Sequence, residues 1–232
     1  MRKQGKKYVE ASSKVEKNKL YTCEEAIKLV KETNVTKFDG SIDIAIKLNI
    51  DASKSDQQLR GSIVLPAGSG KVKKILVIAD GEEAKRATEA GADYVGADEL
   101  INKIESENWF DYDVIVATPK MMAKLGKIGK VLGPKGLMPN PKTGTVTATP
   151  EKTIADIKKG MIEYKTDSYG NIHGIIGKSS FKEKDLLNNL TYFVKTITAA
   201  KPVAVKGEFV KSVAISSTMG PGIKIDKNSF DI

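Results

Sequence analysis

Ser41 to Ile50 reads SIDIAIKLNI. Its alternation is strict: Ile42, Ile44, Ile46, Leu48 and Ile50 fall on one side of an extended chain, and Ser41, Asp43, Lys47 and Asn49 on the other. Period two over that length predicts a β-strand with one buried face and one face left open for binding. Further along, Lys73 to Asp80 (KKILVIAD) has a different rhythm, a continuous apolar run of the kind found in strands covered on both faces. One chain therefore holds two kinds of sheet, and the fold class follows from where each kind begins and ends.

Working outward from the alternating strand, Thr22 with Glu25 three residues later is a capping-box pattern opening a helix through Val30, with Ala26, Ile27 and Val30 inward. A basic, helical leader precedes it. A strand over Leu59 to Leu65 follows, ending in the flexible sequence PAGSG. From Gly68 to Lys159 strands and helices alternate: Lys73–Asp80, a helix over Glu82–Ala90, Asp93–Val95, a helix over Asp98–Asn108, then Tyr112–Thr118. That order predicts a small parallel-sheet α/β domain. Beyond it the first style returns. Met161–Thr166 and Asn171–Ile176 read as a hairpin across Asp167–Gly170, and Ser180 with Glu183 as the cap of a long amphipathic helix carrying Leu186, Leu187, Leu190, Phe193, Val194 and Ile197. Phe209–Thr218 and the short IKID segment complete the strands. Neither outer block would make a comfortable core alone. The expected architecture is one discontinuous α+β sandwich domain, residues 1–67 plus 160–232, interrupted by a three-layer α/β domain over 68–159, with a paired hinge at the two crossings.

At 232 residues and 40% hydrophobic content the chain can bury real cores without staples. Its single cysteine, Cys23, permits no internal disulfide, so a reducing cytosol is expected. The N-terminus is basic with no apolar run behind it, and no membrane span is expected. Net charge is +9, which points toward a polyanionic partner. Residues 1–67 carry 13 bases and 9 acids and 160–232 carry 10 and 7, so the discontinuous domain holds +7 of it. Inside the insertion, 68–113 has 6 bases and 11 acids while 114–159 has 9 and 2, so an acidic and a basic side are expected there.

The basic half contains GKIGKVLGPKGLMPNPKTGT, Gly126 to Thr145. No carboxylate occurs between Asp113 and Glu151, and Lys120, Lys124, Lys127, Lys130, Lys135 and Lys142 all lie in that interval. Such a stretch is expected to be a polyanion-facing surface and no part of a hydrophobic core. PAGSGK, Pro66 to Lys71, is not a phosphate-binding P-loop, because Leu65 replaces its first glycine and Val72 its magnesium-binding hydroxyl. No GxGxxG follows the first α/β strand, so a dinucleotide site is unsupported. His173, the lone histidine, has no thiol or spaced acids with which to form a metal site or triad. On a basic strand it is either a surface residue or a contact to RNA. Phe38, in TKFDGS, is either core or a stacking platform for a base. TMGPG, Thr218 to Gly222, is either a turn whose glycines supply positive φ or a place where backbone approaches a groove closely. Catalytic residues and cofactors are not expected.

VLGPKGLMPNPKTGT (Val131–Thr145), KFDGSIDIAIKL (Lys37–Leu48), GADYVGADEL (Gly91–Leu100), NIHGIIGK (Asn171–Lys178) and STMGPGIKI (Ser217–Ile225) together closely resemble the L-one family of bacterial ribosomal proteins, over nearly the whole chain and in order. The resemblance implies a discontinuous domain that grips 23S rRNA to form the mobile stalk beside the exit site, and a Rossmann-like inserted domain. It further implies assistance in releasing deacylated tRNA, repression through the protein's own operon mRNA, and a monomer off the ribosome. Carried over by motif, the RNA contacts are Lys37, Phe38, Ser41, Asp43, His173, Ser217, Thr218, Met219 and Gly220. A second basic surface at Lys127, Lys130, Lys135 and Lys142 is expected to serve tRNA. Gly40 and Ser41 depart from the family's common acid and threonine. A nucleotide-using enzyme and a free RNA-binding regulator are the competing readings.

Overall fold

The computed structural model describes residues 5–230, so the first four residues of the basic leader lie outside the described residues. The elements in chain order are α1 (Lys6–Ser13), α2 (Cys23–Glu32), β1 (Ser41–Leu48) and β2 (Arg60–Val64), then β3 (Ile75–Ile78), α3 (Glu82–Glu89), β4 (Tyr94–Gly96), α4 (Asp98–Glu107), β5 (Val114–Ala117), α5 (Met122–Leu125), α6 (Gly129–Leu132) and α7 (Pro150–Lys158). The last stretch supplies β6 (Met161–Lys165), β7 (Asn171–Lys178), α8 (Glu183–Ala199), β8 (Val210–Ser217) and β9 (Ile223–Ile225). The fold is mixed α/β with three sheets. It divides into two compact units, Met1–Gly70 with Ile162–Ile232, and Lys71–Met161.

In the first unit an antiparallel sheet runs β7-β1-β8-β9. Ile42, Ile44, Ile46 and Leu48 all point from the central strand into a core shared with Ala26, Ile27 and Val30 of α2 and Leu186, Leu190, Phe193, Val194 and Ile197 of α8. Both helices cover that one face, which leaves the face of Ser41, Asp43, Ala45 and Lys47 partly exposed. The capping box of α2 forms as read: Thr22 Oγ1 accepts from the Glu25 N–H, and Glu25 Oε2 from the Thr22 N–H at 3.2 Å.

Three local expectations need correcting. The segment before Asp167 does not form a hairpin with β7. β6 pairs with β2 in a separate two-stranded sheet, and only an isolated bridge, Thr166 to Ile172, joins the two arms. Tyr164 of β6 lies against Gly61 of β2, where a Cβ would come within 2.7 Å of the Tyr164 hydroxyl. Ser180 does not cap α8, whose N-cap is Lys182 without a side-chain bond. The Ser180 hydroxyl instead donates to Asp39 Oδ2 at 2.9 Å. Finally, PAGSG is held rather than loose. Asn189 of α8, fully buried, accepts from the Ala67 N–H at 3.0 Å through Oδ1 and donates to the carbonyls of Gly68 (2.9 Å) and Ile176 (2.7 Å). The clasped residues, and the chain on to Gly70, belong to the first unit.

In the second unit β4-β3-β5 form a parallel sheet. Its central strand is buried along its whole length. Leu76 and Ile78 pack with Ile101 and Ile104 of α4, while Ile75 and Val77 alternate to the face where α3 and α7 meet. Leu125, Ile128 and Leu132, within the lysine-rich stretch, complete the first of these cores. The stretch is thus amphipathic, with buried leucine and isoleucine between exposed lysines, and the expectation that it stays out of the core fails because its short helical turns alternate the two.

Candidate nucleic-acid interface

The open face of the four-stranded sheet mixes short and long side chains. Register places Ser41 beside Lys178, Asp43 between Ile175 and Ser216, Ala45 between His173 and Ala214, and Lys47 between Asn171 and Ser212. Lys224 lies beside Ala214 on β9. Ser41, Ala45, Ser212, Ala214 and Ser216 are its short side chains, set among the longer Lys47, His173, Ile175, Lys178 and Lys224. Its lysines and the hydroxyls of Ser41, Ser212 and Ser216 are donors and acceptors of the kind phosphate and ribose require.

One end of this face collects most of the motif residues. Thr218 Oγ1 accepts from the Ser41 N–H at 2.9 Å and donates to the Ser41 carbonyl at 3.0 Å. Thr218 is therefore a structural pin, and its truncation would disturb the end of β1 rather than leave the fold intact. Asp39 accepts from the hydroxyl and N–H of Ser180 and from the Ser179 hydroxyl, all between 2.9 and 3.0 Å, which ties the loop before β1 to the end of β7. Those hydroxyls hold its carboxyl below the usual carboxylate range. Gly40 is buried and leaves no ready space for an acid: a Cβ there would lie 3.0 Å from Thr36 Oγ1. The loop so fixed presents Lys37 and Phe38 outward, with Phe38 63% exposed, which removes the core reading of that ring.

The TMGPG turn departs from the reading in which its glycines supply positive φ. Neither Gly220 nor Gly222 has positive φ; Met219 does, at 66°, and the residue is 74% exposed. A methionine in the left-handed region carries strain, and strain of that kind concentrates at functional sites. Gly220 is needed for space instead, since its Cβ would fall 2.2 Å from Ser217 Oγ. Ser217 is buried beneath the turn, on the core side of β8, and its hydroxyl has no partner among the described residues. It supports the turn and does not present its hydroxyl on the open face.

Asp43 and His173 sit farther along the same face. Burial pushes the Asp43 carboxyl up, and Lys178 and then His173 oppose the shift. His173 is exposed, its Nε2 3.6 Å from Asp167 Oδ2. Lys178 donates to Ser41 Oγ at 3.1 Å and belongs to the cluster, although period-two counting from His173 puts it on the core side. A β-bulge between the pairs of Ile42 and Asp43 reverses the phase. Gly177, at φ 158°, pairs with Ile42 beside the bulge.

Lys127, Lys130, Lys135 and Lys142 are exposed in the second unit, spread over successive short turns. Lys135 Nζ stands 3.8 Å from the centroid of Phe110. The expected separation into an acidic and a basic side is incomplete, because Lys124 bonds Asp98 at 2.7 Å across the two halves of the insertion. Asn140 orders the end of the stretch: it accepts from the Lys142 N–H at 2.8 Å, while the Asn140 N–H donates to the buried Thr145 hydroxyl at 2.8 Å.

Among the described residues no group of histidine, cysteine, aspartate and glutamate could hold a metal ion, and no helix is long and apolar enough to cross a membrane. The protein is basic, with a net charge of +9, and combines a mixed α/β fold with a partly exposed polar sheet face. Residues 30–221 match the model of the Ribosomal protein L1p/L10e family. The large ribosomal subunit protein uL1 of Mycoplasma capricolum subsp. capricolum is 55% identical over 226 residues, covering 97% of this chain and 100% of that protein. The chain belongs to the Ribosomal protein L1p/L10e family. It is a ribosomal protein of the cytoplasmic ribosome and not an enzyme.

Proposed function

We propose that this protein is a structural constituent of the large ribosomal subunit that grips the 23S rRNA stalk with the open sheet face of its first unit. The observation that carries the reading is the end of that face, where an exposed phenylalanine and a strained, exposed methionine flank a pinned hydroxyl cluster and Lys178. A-form RNA offers a wide, shallow minor groove lined with 2′-hydroxyls, and an open sheet face carrying serines and lysines suits it. Lys37 and Lys178 supply attraction to phosphate. Asp43 adds specificity, since a carboxylate beside RNA is tolerated only where it accepts from ribose hydroxyls or base amino groups. Ser217 and Gly220 act through the turn that aims Met219 and Thr218.

In this reading the two units are separate domains, Lys71–Met161 being an inserted Rossmann-like one. Its exposed Lys127, Lys130 and Lys142, with Lys135 held over Phe110, meet exit-site tRNA and assist its release when deacylated. The same sheet face binds a segment of the protein's own operon mRNA and represses its translation, and the protein is monomeric off the ribosome.

Two substitutions test the surface without touching the core. Phe38→Ala should weaken binding to a stalk-rRNA transcript by about 5- to 100-fold, the range of one lost base stack, with no change in melting temperature. Met219→Gly should weaken it too while stabilising the protein by on the order of 1 kcal/mol, through relief of the left-handed backbone. Unchanged affinity in both variants would remove this face as the rRNA site.

A further inference from the structure

The turn between β6 and β7 is locked to an unusual degree. The Asp167 carboxylate accepts from the Asn171 N–H (2.7 Å), the Asn171 side-chain amide (2.9 Å) and the Tyr169 N–H (2.9 Å). These donors, Asn171 foremost, hold its pKa down to about 2, so the lock persists across the physiological range. The Asp167 N–H donates to the Asn171 carbonyl, and the Leu48 N–H to the Gly170 carbonyl, both at 2.9 Å. Lys47 donates to the carbonyl of Tyr169 itself. Gly170, at φ 74°, completes the turn where a Cβ would come within 3.0 Å of Ile50 Cγ1.

All of this fixes the backbone on either side of Tyr169 while leaving the residue 76% exposed. No other ring and no cation packs against it among the described residues. Folding gains little from so exposed a residue, and its neighbours in TDSYGN are all small or polar. Lys47 and Asn171 are cross-strand partners in the last row of the open face, so Tyr169 stands at the margin opposite Phe38. Six residues of β1 separate the rows of Ser41 and Lys47, about 20 Å at ~3.4 Å per residue.

We propose that Tyr169 is a second stacking platform, on which an unpaired base of the bound RNA lies, so that the binding surface runs the full length of β1. The inference rests on the sheet face being the RNA site. A tyrosine displayed on a rigid turn has only two side-chain torsions to order on binding, which makes it a low-cost anchor. His173 is the neighbouring donor, one row inward on the same face.

The test uses the full-length protein and an in vitro transcript of the 23S rRNA stalk segment, with affinity measured at several salt concentrations. Tyr169→Phe should bind within about twofold of the parent, whereas Tyr169→Ser and Tyr169→Leu should each lose about 5- to 100-fold. The salt dependence should stay the same, because no phosphate contact is removed. Combined with Phe38→Ala, the Tyr169→Ser loss should multiply, as sites about 20 Å apart act independently. Full affinity in Tyr169→Ser, with Phe38→Ala weakened, would overturn the second platform and leave the site reading standing. Full affinity in both would overturn the two together. A Leu variant as good as Phe, or a Phe variant as weak as Ser, would replace stacking by simple apolar contact or by a hydroxyl bond and so overturn the proposal.

Discussion

Asn189→Leu should lower the unfolding free energy by about 3–5 kcal/mol in urea or guanidinium titrations, because each buried polar group left without a partner costs about 1–3 kcal/mol. Asn189 is fully buried in α8, and its amide serves three backbone groups on two other segments: the N–H of Ala67 and the carbonyls of Gly68 and Ile176. Leucine matches the volume and satisfies none of them. Asn189→Asp should also be costly, since a carboxylate can accept from Ala67 but faces two carbonyls where the amide donated. A loss under 1 kcal/mol for Asn189→Leu would show that water or a shift of the Pro66–Gly70 segment replaces the clasp.

That clasp marks the limit of what the sequence made legible. The alternation of β1, the buried run of β3 and the capping box of α2 are local patterns, and each appears in the structure where its residues place it. What escaped depends on partners far along the chain. Pro66–Gly70 has turn composition, and nothing near it signals that an asparagine in α8 will hold it. Ser180 has the right spacing from Glu183 for a cap, but Asp39 competes for its hydroxyl and N–H. β6 and β7 have the spacing of a hairpin, but Tyr164 finds its place beside Gly61. Within the candidate site, Phe38 was open in the sequence between core and surface, and its exposure decides for the surface. Lys178 was not legible, because a single-residue bulge turns it to the other face, and Tyr169 was hidden by the apparent ordinariness of a turn.

Phe193→Ala should cost a further large amount, about 3–5 kcal/mol, as do other buried phenylalanine truncations. The ring is fully buried in α8 and lies directly over Gly174 of β7, where a Cβ would be 2.8 Å from two of its carbons. Glycine at 174 is what lets helix and sheet approach so closely. Gly174→Ala should therefore destabilise by about 1–3 kcal/mol through overpacking. The pair should be strongly non-additive: with Phe193 reduced to leucine the alanine has room, and the double variant should be more stable than the sum of the single losses predicts. Strict additivity in that cycle would mean that ring and glycine do not set the spacing between α8 and the sheet.

The central claim, that the first unit alone carries the rRNA site, is tested most directly by excising residues 71–161, joining Gly70 to Ile162 through a short glycine-rich linker, and measuring affinity for the stalk transcript. The discontinuous unit keeps every proposed contact residue and most of the net positive charge. Its affinity should remain within about tenfold of the full-length protein, while the isolated 71–161 fragment should bind the transcript only in a weak, salt-sensitive manner. A folded deletion variant that has lost the transcript, together with a fragment that retains it, would contradict the account.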